Sequence, residues 1–296
     1  MDRYKETFSK LKSNNEKALV IFTVLGDPDF KTSIDIIKSI IKGGADILEL
    51  GFPFSDPIAD GAVIQAADVR SLNSGINSDK CLEMIKDIRR FSDVPIGLLI
   101  YYNLVYQRGI ENFYRDAKQA GVDSVLIADM PVEESENCVK AAKKHGINQV
   151  FIVSPLTNED RLEKISENAS GFLYLVSRLG VTGSRDDIQK GTLDLIKRVR
   201  PKTSLPLCVG FGISKPEHVK KVCNAGADGA IVGSSVIKII EDNLSDKKKM
   251  LKKIEDYVKE MKVGTRTKEI SKLFGSLKTK KSTKELMKEI REGYDN

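Results

Sequence analysis

The chain is poor in the side chains on which many enzyme mechanisms depend. Its 296 residues include two histidines, four cysteines and no tryptophan. His145 and His218 both lie in charged stretches of helical character, KKHGIN and KPEHVKK. We therefore expect neither a histidine-based catalytic triad nor a histidine-rich metal site. If the protein is an enzyme, carboxylates must carry its proton transfers.

The cysteines and the apolar runs argue against a disulfide-rich protein and against a membrane-spanning one. Cys81, Cys138, Cys208 and Cys223 form no CxxC pair, which predicts reduced, buried thiols rather than a disulfide framework. No stretch of 18 unbroken apolar residues occurs, so no membrane-spanning helix is expected. The segment MDRYKETFSKLKSNNEK has no apolar core of the kind that a signal peptide needs. These features predict a cytoplasmic protein.

Positive charge is concentrated at the C-terminal end. The net charge is +6, and residues 263–296 hold nine Lys/Arg against five Asp/Glu, which is +4 of that excess. For this stretch we expect a solvated, partly helical extension. A nucleic-acid partner is disfavoured because the extension has few aromatic residues among its basic ones.

A local pattern recurs along the chain and indicates the fold. The segments KGGADILELG, QAGVDSVLIAD and NAGADGAIVGS each place a glycine and an aspartate before a short apolar run, and KHGINQVFIV is a looser copy. The glycines Gly44, Gly121 and Gly226 suit the left-handed position that closes a helix. Runs that are apolar on both faces are typical of strands in a parallel sheet covered by helices.

The other apolar runs complete the count of strands. Residues 18–24, 95–101, 171–176 and 206–210 bring it to eight, with segments of helical periodicity between them. Eight such units predict an α/β protein with a (β/α)8 TIM barrel, for which a doubly wound open sheet is the alternative. Tyr4, Phe8 and Leu11 indicate an extra N-terminal helix that closes the bottom of the barrel. We therefore predict a barrel domain over residues 1–262 and an extension over 263–296.

Two acids, Glu49 and Asp60, lie at and after the end of the second strand. In a TIM barrel the active site is at the C-terminal ends of the strands. Glu49 ends that strand between Leu48 and Leu50, and loss of solvent there raises the pKa of a carboxyl toward the range useful for proton transfer. The alternative is a glutamate paired with a buried Lys or Arg. Asp60 precedes a helical run, so the pattern by itself favours a helix N-cap at this position.

Glycine-rich turns follow the last three strands. RLGVTGS, GFGIS and GSS follow strands six, seven and eight, and such turns in front of helix N-termini expose backbone N–H groups to an anion. They predict a site for a phosphorylated ligand. Apolar and aromatic residues near the strand ends suit a flat apolar group beside the phosphate, although each could equally belong to the barrel core. These residues are Phe22, Leu99, Tyr101, Leu126, Ala128, Ile152, Tyr174 and Phe211.

Five segments together resemble the tryptophan synthase alpha chain family. They are LELGFPFSDPIADG, IGLLIYYNLVY, VDSVLIADMPVEES, LVSRLGVTGS and GFGISKPEHV with GADGAIVGSSVIKII. The resemblance runs from about residue 2 to about residue 261 and implies a lyase of tryptophan biosynthesis. Such a lyase cleaves indole-3-glycerol phosphate to indole and glyceraldehyde 3-phosphate, with no cofactor in this chain.

The resemblance also implies roles for single residues. Glu49 performs the acid and base steps, Asp60 holds the indole N–H, which overrules the N-cap interpretation, and Tyr174 supports the site. The substrate pocket is formed by Phe22, Leu99, Tyr101, Leu126, Ala128, Ile152, Thr182 and Phe211. The phosphate group is bound by Gly183, Gly212, Gly233 and Ser234. The loop 178–190 is a lid over the substrate.

A partner protein follows from the same resemblance. The family docks on a beta chain that carries pyridoxal phosphate, in an alpha2-beta2 complex. The residues implied to meet it are Pro53, Asp56, Pro57, Asn103, Asp129 and Pro131. Two alternatives stay open: a non-catalytic barrel subunit that only activates such a partner, and another phosphate-binding barrel enzyme.

Overall fold

The computed structural model describes residues 2–176, 190–210 and 212–266 of the chain. Eight parallel strands form a closed barrel in sequence order, with the last strand paired to the first. The strands are β1 (Ala18–Val24), β2 (Ile47–Gly51), β3 (Ile96–Ile100), β4 (Ser124–Ile127), β5 (Asn148–Val153), β6 (Leu173–Val176), β7 (Leu207–Gly210) and β8 (Gly229–Val232). The predicted TIM barrel is confirmed, and the open-sheet alternative is wrong.

Helices surround the barrel and separate its strands. They are α1 (Arg3–Ser13), α2 (Phe30–Gly43), α3 (Ala62–Asn73), α4 (Ser78–Arg89), α5 (Tyr102–Arg108), α6 (Ile110–Ala120), α7 (Glu136–His145), α8 (Glu159–Asn168), α9 (Lys190–Val199), α10 (Pro216–Asn224), α11 (Ser234–Glu241) and α12 (Lys247–Val263). Short 3₁₀ helices cover Val132–Glu134 and Arg200–Lys202.

Local sequence signals set the limits of these helices. Asp29 accepts a hydrogen bond from the backbone N–H of Thr32 and so caps the start of α2. Gly44 and Gly121 end α2 and α6 in the left-handed conformation, with φ of 101° and 99°. A side chain at either position would be strained, which explains why glycine begins the recurring motif.

The aspartate of the recurring motif has a structural role at the bottom of the barrel. Asp46 accepts the backbone N–H of Leu19 at 2.7 Å, and Asp123 accepts that of Ile96 at 2.9 Å. In the third copy, Asp228 accepts the N–H of Leu207 at 3.1 Å. Each carboxylate therefore ties the start of its own strand to the start of a neighbouring strand.

Each of these aspartates is also paired with cations. Asp123 contacts the guanidinium groups of Arg3 and Arg89. Asp46 lies 2.7 Å from Lys262 of α12. Because the negative charges are matched and hydrogen-bonded, they can be partly buried without the penalty of an isolated ion.

Helix α1 closes the bottom of the barrel, as its apolar stripe predicts. Tyr4 is 1% exposed, its hydroxyl lies 2.8 Å from Ser124 Oγ, and its ring packs on Phe172. Gly97 leaves room for this hydroxyl, because a Cβ there would lie 2.8 Å from it. Leu11 is buried in the same cluster.

The packed body extends a little beyond the boundary expected from sequence. Helix α12 ends at Val263, Thr265 is fully buried, and Arg266 pairs with Glu16 beside α1. Residues 267–296 lie outside the described residues, so the helical extension and the division at 262/263 remain predictions.

Candidate active site

Glu49 lies in β2 and points into the barrel, while Leu48 and Leu50 belong to the core between strands and helices. The residue is 3% exposed, and its Oε2 atom has no hydrogen-bond partner. Burial, together with the negative charge of Asp60, raises its pKa to about 8. A carboxyl of this kind is protonated at neutral pH and is positioned to give and take a proton.

The alternative role for Glu49, a buried ion pair, is wrong. Within the described ranges no lysine or arginine forms an ion pair with it, and the charged group that perturbs it is another acid. Burying a carboxyl without a cation costs stability. Such an unfavourable arrangement is typical of a functional group rather than of a structural one.

Asp60 is held by a tyrosine and not by a helix terminus. The N-cap of α3 is Gly61, and no side chain caps this helix, so the N-cap interpretation of Asp60 is wrong. Its Oδ2 atom instead accepts the Tyr101 hydroxyl at 2.6 Å, and the same hydroxyl accepts the backbone N–H of Ala59 at 3.0 Å. Burial raises the pKa of Asp60, and the Tyr101 hydrogen bond opposes that rise.

Tyr174 lies in β6 and is 7% exposed. Burial, with the nearby charges of Glu49 and Asp60, raises the pKa of its hydroxyl well above the usual value. The hydroxyl therefore stays protonated and can only donate or accept hydrogen bonds. Its ring lies against Gly210 of β7, where a Cβ would come within 3 Å of the ring atoms.

Six of the predicted apolar residues lie in two clusters inside the barrel. Leu99, Leu126, Ala128, Ile152 and Tyr174 belong to one apolar cluster. Phe22 belongs to a second cluster that also contacts Leu99. The structure thus places these six residues, in or directly after β1 and β3 to β6, in two adjoining clusters inside the barrel.

Two glycines allow Phe22 to reach this pocket. A Cβ at Gly51 would lie 2.9 Å from Phe22 Cζ, and one at Gly233 would lie 3.0 Å from Phe22 Cδ1. The ring is therefore packed between the ends of β2 and β8. The glycine at 233 thus has a packing role in addition to any contact with an anion.

The predicted phosphate residues lie at the ends of β7 and β8. Gly212 is exposed with φ of 77°, and a Cβ there would meet no atom within 4 Å. Gly233 is the N-cap of α11, and Ser234 is its exposed first residue. The N–H groups at this helix start suit an anion. Gly183, Thr182, Phe211 and the lid 178–190, apart from Lys190 at the start of α9, lie outside the described residues.

Comparisons with known proteins match this arrangement of fold and site. A family model described as "Tryptophan synthase alpha chain" matches residues 8–266. The tryptophan synthase alpha chain of Methanothermobacter thermautotrophicus is 52% identical over 239 residues, which are 81% of this chain and 88% of the relative. The chain belongs to the tryptophan synthase alpha chain family.

Further relatives in this family support the assignment. The tryptophan synthase alpha chain of Methanoregula boonei is 49% identical over 262 residues, which are 88% of this chain and 98% of the relative. A crystal structure of tryptophan synthase subunit alpha from Legionella pneumophila has a TM-score of 0.82 at 33% identity, covering 90% of this chain and 98% of that one. A structure of the tryptophan synthase alpha2-beta2 complex from Pyrococcus furiosus has a TM-score of 0.78 at 37% identity, covering 83% and 98%.

The residues that resemblance to the tryptophan synthase alpha chain family assigns to a partner lie mainly on the surface at the top of the barrel. Asp56, Asn103, Asp129 and Pro131 are exposed, and Pro57 is half-buried. Pro53, by contrast, is buried.

Two of the exposed acids are hydrogen-bonded locally. Asp129 accepts the backbone N–H of Tyr102 at 2.7 Å, which ties the end of β4 to the start of α5. Asp56 accepts the Ser55 hydroxyl at 2.5 Å.

The structure places two further polar residues where sequence reasoning did not expect them. Asp68 of α3 is 4% exposed, and burial and the charges of Asp60 and Asp27 raise its pKa to about 8. His218, predicted in a polar helix, is 5% exposed, and its Nδ1 atom accepts the backbone N–H of Ser214 at 3.3 Å. Asp68 carried one sequence signal, an acid among apolar helix positions.

Three further features of the described residues concern thiols, metal ions and membranes. All four cysteines are buried and free, which confirms the prediction of buried thiols. In the part of the chain that the structure describes, no group of three His, Cys, Asp or Glu side chains could hold a metal ion. None of the described helices combines the length and the apolar character needed to cross a membrane.

Proposed function

We propose that this chain is a carbon–carbon lyase that cleaves indole-3-glycerol phosphate to indole and glyceraldehyde 3-phosphate, as the alpha subunit of a tryptophan synthase. Family membership supports the reaction. The single observation that carries it in this chain is the pair of acids at the top of the barrel. Glu49 is buried with an unpartnered oxygen and a pKa of about 8, and Asp60 lies close enough to raise that pKa.

The reaction needs a proton at one carbon of the substrate and the loss of a proton from an oxygen. Indole C3 must be protonated before its bond to the glycerol chain breaks. The hydroxyl on the neighbouring glycerol carbon must lose its proton as that carbon becomes the aldehyde. Glu49, protonated at neutral pH, gives its proton to C3 and as a carboxylate takes the hydroxyl proton, so the residue ends the cycle as it began.

Asp60 has the complementary electrostatic task. Its carboxylate accepts the indole N–H and stabilises the positive charge that grows on the ring when C3 is protonated. The Tyr101 hydroxyl holds this carboxylate in position at 2.6 Å. Tyr174, neutral at working pH, supports the reacting part of the substrate from β6.

The rest of the pocket recognises the two ends of the substrate. Phe22, Leu99 and the apolar residues of β4 and β5 surround the indole ring. The phosphate lies at the start of α11, against the N–H groups near Gly233 and Ser234 and the turn at Gly212. Thr182, Gly183 and Phe211 are assigned to the same pocket by family resemblance.

The partner in this proposal is a beta chain with pyridoxal phosphate, joined in an alpha2-beta2 complex like that of the Pyrococcus furiosus relative. The top face that holds Asp56 and Asn103 lies beside the mouth of the pocket, so indole can leave directly toward the partner. No cofactor is assigned to this chain. We place the complex in the cytoplasm.

The test is indole release from indole-3-glycerol phosphate by the chain alone and with a tryptophan synthase beta chain added. We expect turnover that the beta chain accelerates. Release of no indole in either case, with the folded barrel shown by circular dichroism, would overturn the lyase. Stimulation of the beta chain without indole release would identify a regulatory subunit instead.

The partner surface is tested separately. Asp56→Ala should weaken the stimulation by the beta chain and leave turnover by the chain alone unchanged. Asp160→Ala, at an exposed acid of α8, serves as the control and should change neither. If both variants are stimulated like the wild type, the proposed role of Asp56 is wrong.

A further inference from the structure

Two side chains to which the proposed mechanism gives no task bind the backbone of a single residue, Ser214. This residue lies in the turn between β7 and α10, two positions after Gly212. The backbone N–H of Ser214 donates to Nδ1 of His218 at 3.3 Å. Its carbonyl oxygen accepts the hydroxyl of Tyr257 at 3.0 Å. Both polar backbone groups of this exposed residue are therefore bound by side chains.

The two side chains come from different helices. His218 lies in the first turn of α10 and is 5% exposed. By itself its bond fits a local cap, because the first N–H groups of a helix need partners. Tyr257 belongs to α12, 43 residues after Ser214, so local capping does not account for it. Burial raises the pKa of Tyr257, so its hydroxyl is protonated and can donate.

The helices that carry these side chains are firmly packed. A Cβ at Gly264, directly after α12, would lie 2.4 Å from the carbonyl oxygen of Pro216 at the start of α10. In the turn itself, Ile213 is 4% exposed and belongs to the core. Gly212, by contrast, is exposed and open on the side where a Cβ would be. The turn therefore has one anchored part and one open part.

We propose that His218 and Tyr257 are positioning residues that hold the β7–α10 turn in the conformation that binds the substrate phosphate. This inference rests on the proposed lyase function, in which the turn at Gly212 meets the phosphate. Glycine makes this turn conformationally permissive. A mobile turn loses freedom when it binds a ligand, and this loss weakens binding. Two bonds to Ser214 reduce that loss because they order the turn before the substrate arrives.

The test uses two ligands that differ only in the phosphate, indole-3-propanol phosphate and indole-3-propanol. Tyr257→Phe removes one hydroxyl and keeps the ring. His218→Leu removes the acceptor, whereas His218→Asn keeps an acceptor near the position of Nδ1. In Tyr257→Phe and His218→Leu we expect the Kd of the phosphate ligand to rise about fivefold, the effect of one hydrogen bond. His218→Asn should stay within twofold of wild type.

The ligand without phosphate separates positioning from a general structural effect. The Kd of indole-3-propanol should stay within twofold of wild type in all variants, since the indole pocket is unchanged. In assays of the chain alone, KM for indole-3-glycerol phosphate should rise about fivefold with kcat within threefold, because Glu49 and Asp60 are not altered. Tyr106→Phe, at an exposed tyrosine of α5, is the control and should change none of these constants.

Each other outcome has a definite meaning. If wild type binds the phosphate ligand but releases no indole, the lyase is wrong and the Kd values still decide the proposal. Equal losses of affinity for both ligands, or an unchanged Kd of the phosphate ligand in Tyr257→Phe, would overturn it. So would a wild type that binds the phosphate ligand no more tightly than the alcohol. Should His218→Leu fail to fold, Tyr257→Phe decides, since it removes a single oxygen atom.

Discussion

Acids at the two ends of the barrel have opposite environments. At the bottom, Asp46, Asp123 and Asp228 each accept a backbone N–H from a neighbouring strand and pair with cations. At the top, Glu49 is more deeply buried, and among the described residues it has no cationic partner and one oxygen without a hydrogen bond. The same chemical group is thus stabilised at one end and held in an unfavourable environment at the other.

We interpret this difference as a division between an end that serves stability and an end that serves the proposed chemistry. The bottom acids belong to a motif that occurs three times. In each copy the aspartate connects the start of its own strand to the start of a neighbouring strand. The top acids occur once each, in agreement with their proposed roles as one proton donor and one charge stabiliser. In TIM barrels generally, the C-terminal ends of the strands carry activity and the opposite face carries stability.

The largest expected effect is on activity at the top. Glu49→Gln removes the proton donor and should lower indole release at least about a thousandfold, within the range of general acid–base catalysis. The fold should be retained, since glutamine matches the shape of the neutral acid. Steady-state assays with the beta chain present measure the loss, and circular dichroism controls for folding. A variant with more than a tenth of wild-type activity would exclude Glu49 as the acid.

The corresponding change at the bottom should act on stability instead. Asp123→Ala leaves the guanidinium groups of Arg3 and Arg89 without their carboxylate and frees the N–H of Ile96. We expect the free energy of unfolding to fall by about 3 kcal/mol, measured by urea denaturation. At temperatures where the variant is folded, kcat should stay within about threefold of wild type. A large loss of kcat in the folded variant would contradict the separation of the two ends.

A pH series makes the contrast sharper. The pKa of Glu49 rises from 4.5 to about 8 on folding, so the folded state binds this proton more tightly than the unfolded state. The contribution of Glu49 to stability therefore falls as pH increases through this window and is constant above it. Between pH 5 and pH 8, the free energy of unfolding of Glu49→Gln should therefore rise by on the order of 2 kcal/mol relative to that of wild type. This is less than the 1.4 kcal/mol per pKa unit that linkage gives, because the protein around Glu49 relaxes when the carboxyl ionises. Unfolding midpoints at four or five pH values measure this difference, and a constant difference would show that Glu49 is ionised when buried.

The smallest effects are expected from removing one tyrosine hydroxyl at each end of the barrel. Tyr101→Phe removes the hydroxyl that holds Asp60 and should lower kcat about tenfold, with little change in stability. Tyr4→Phe removes a hydroxyl bonded to Ser124 at the other end and should lower stability by about 1 kcal/mol without changing kcat. Steady-state kinetics and urea denaturation of both variants measure kcat and the free energy of unfolding of each. If the tyrosines gave the same pattern, the functional division between the ends would be wrong.

Much of the site could be predicted from the sequence. The recurring glycine–aspartate motif, together with four other apolar runs, indicated eight parallel strands, and the position of Glu49 at the end of the second strand predicted that it lies at the barrel mouth. The position of Asp60 was misjudged on local pattern, because an acid before a helix is most often an N-cap. In the structure Gly61 takes that position, and Tyr101, which lies 41 residues later in the chain, provides the hydrogen bond.

The sequence by itself determined the strand and helix pattern and favoured a barrel with its active site at the C-terminal ends of the strands, because these depend on periodicity and on short-range motifs. The structure then excluded the open sheet. Only the tertiary structure decided which acids are paired. Asp46 finds Lys262 at the far end of the chain, whereas Glu49 finds another acid. Whether a carboxyl stabilises the fold or is poised for proton transfer depends on the charges and solvent around it, and the folded chain brings these together from distant positions.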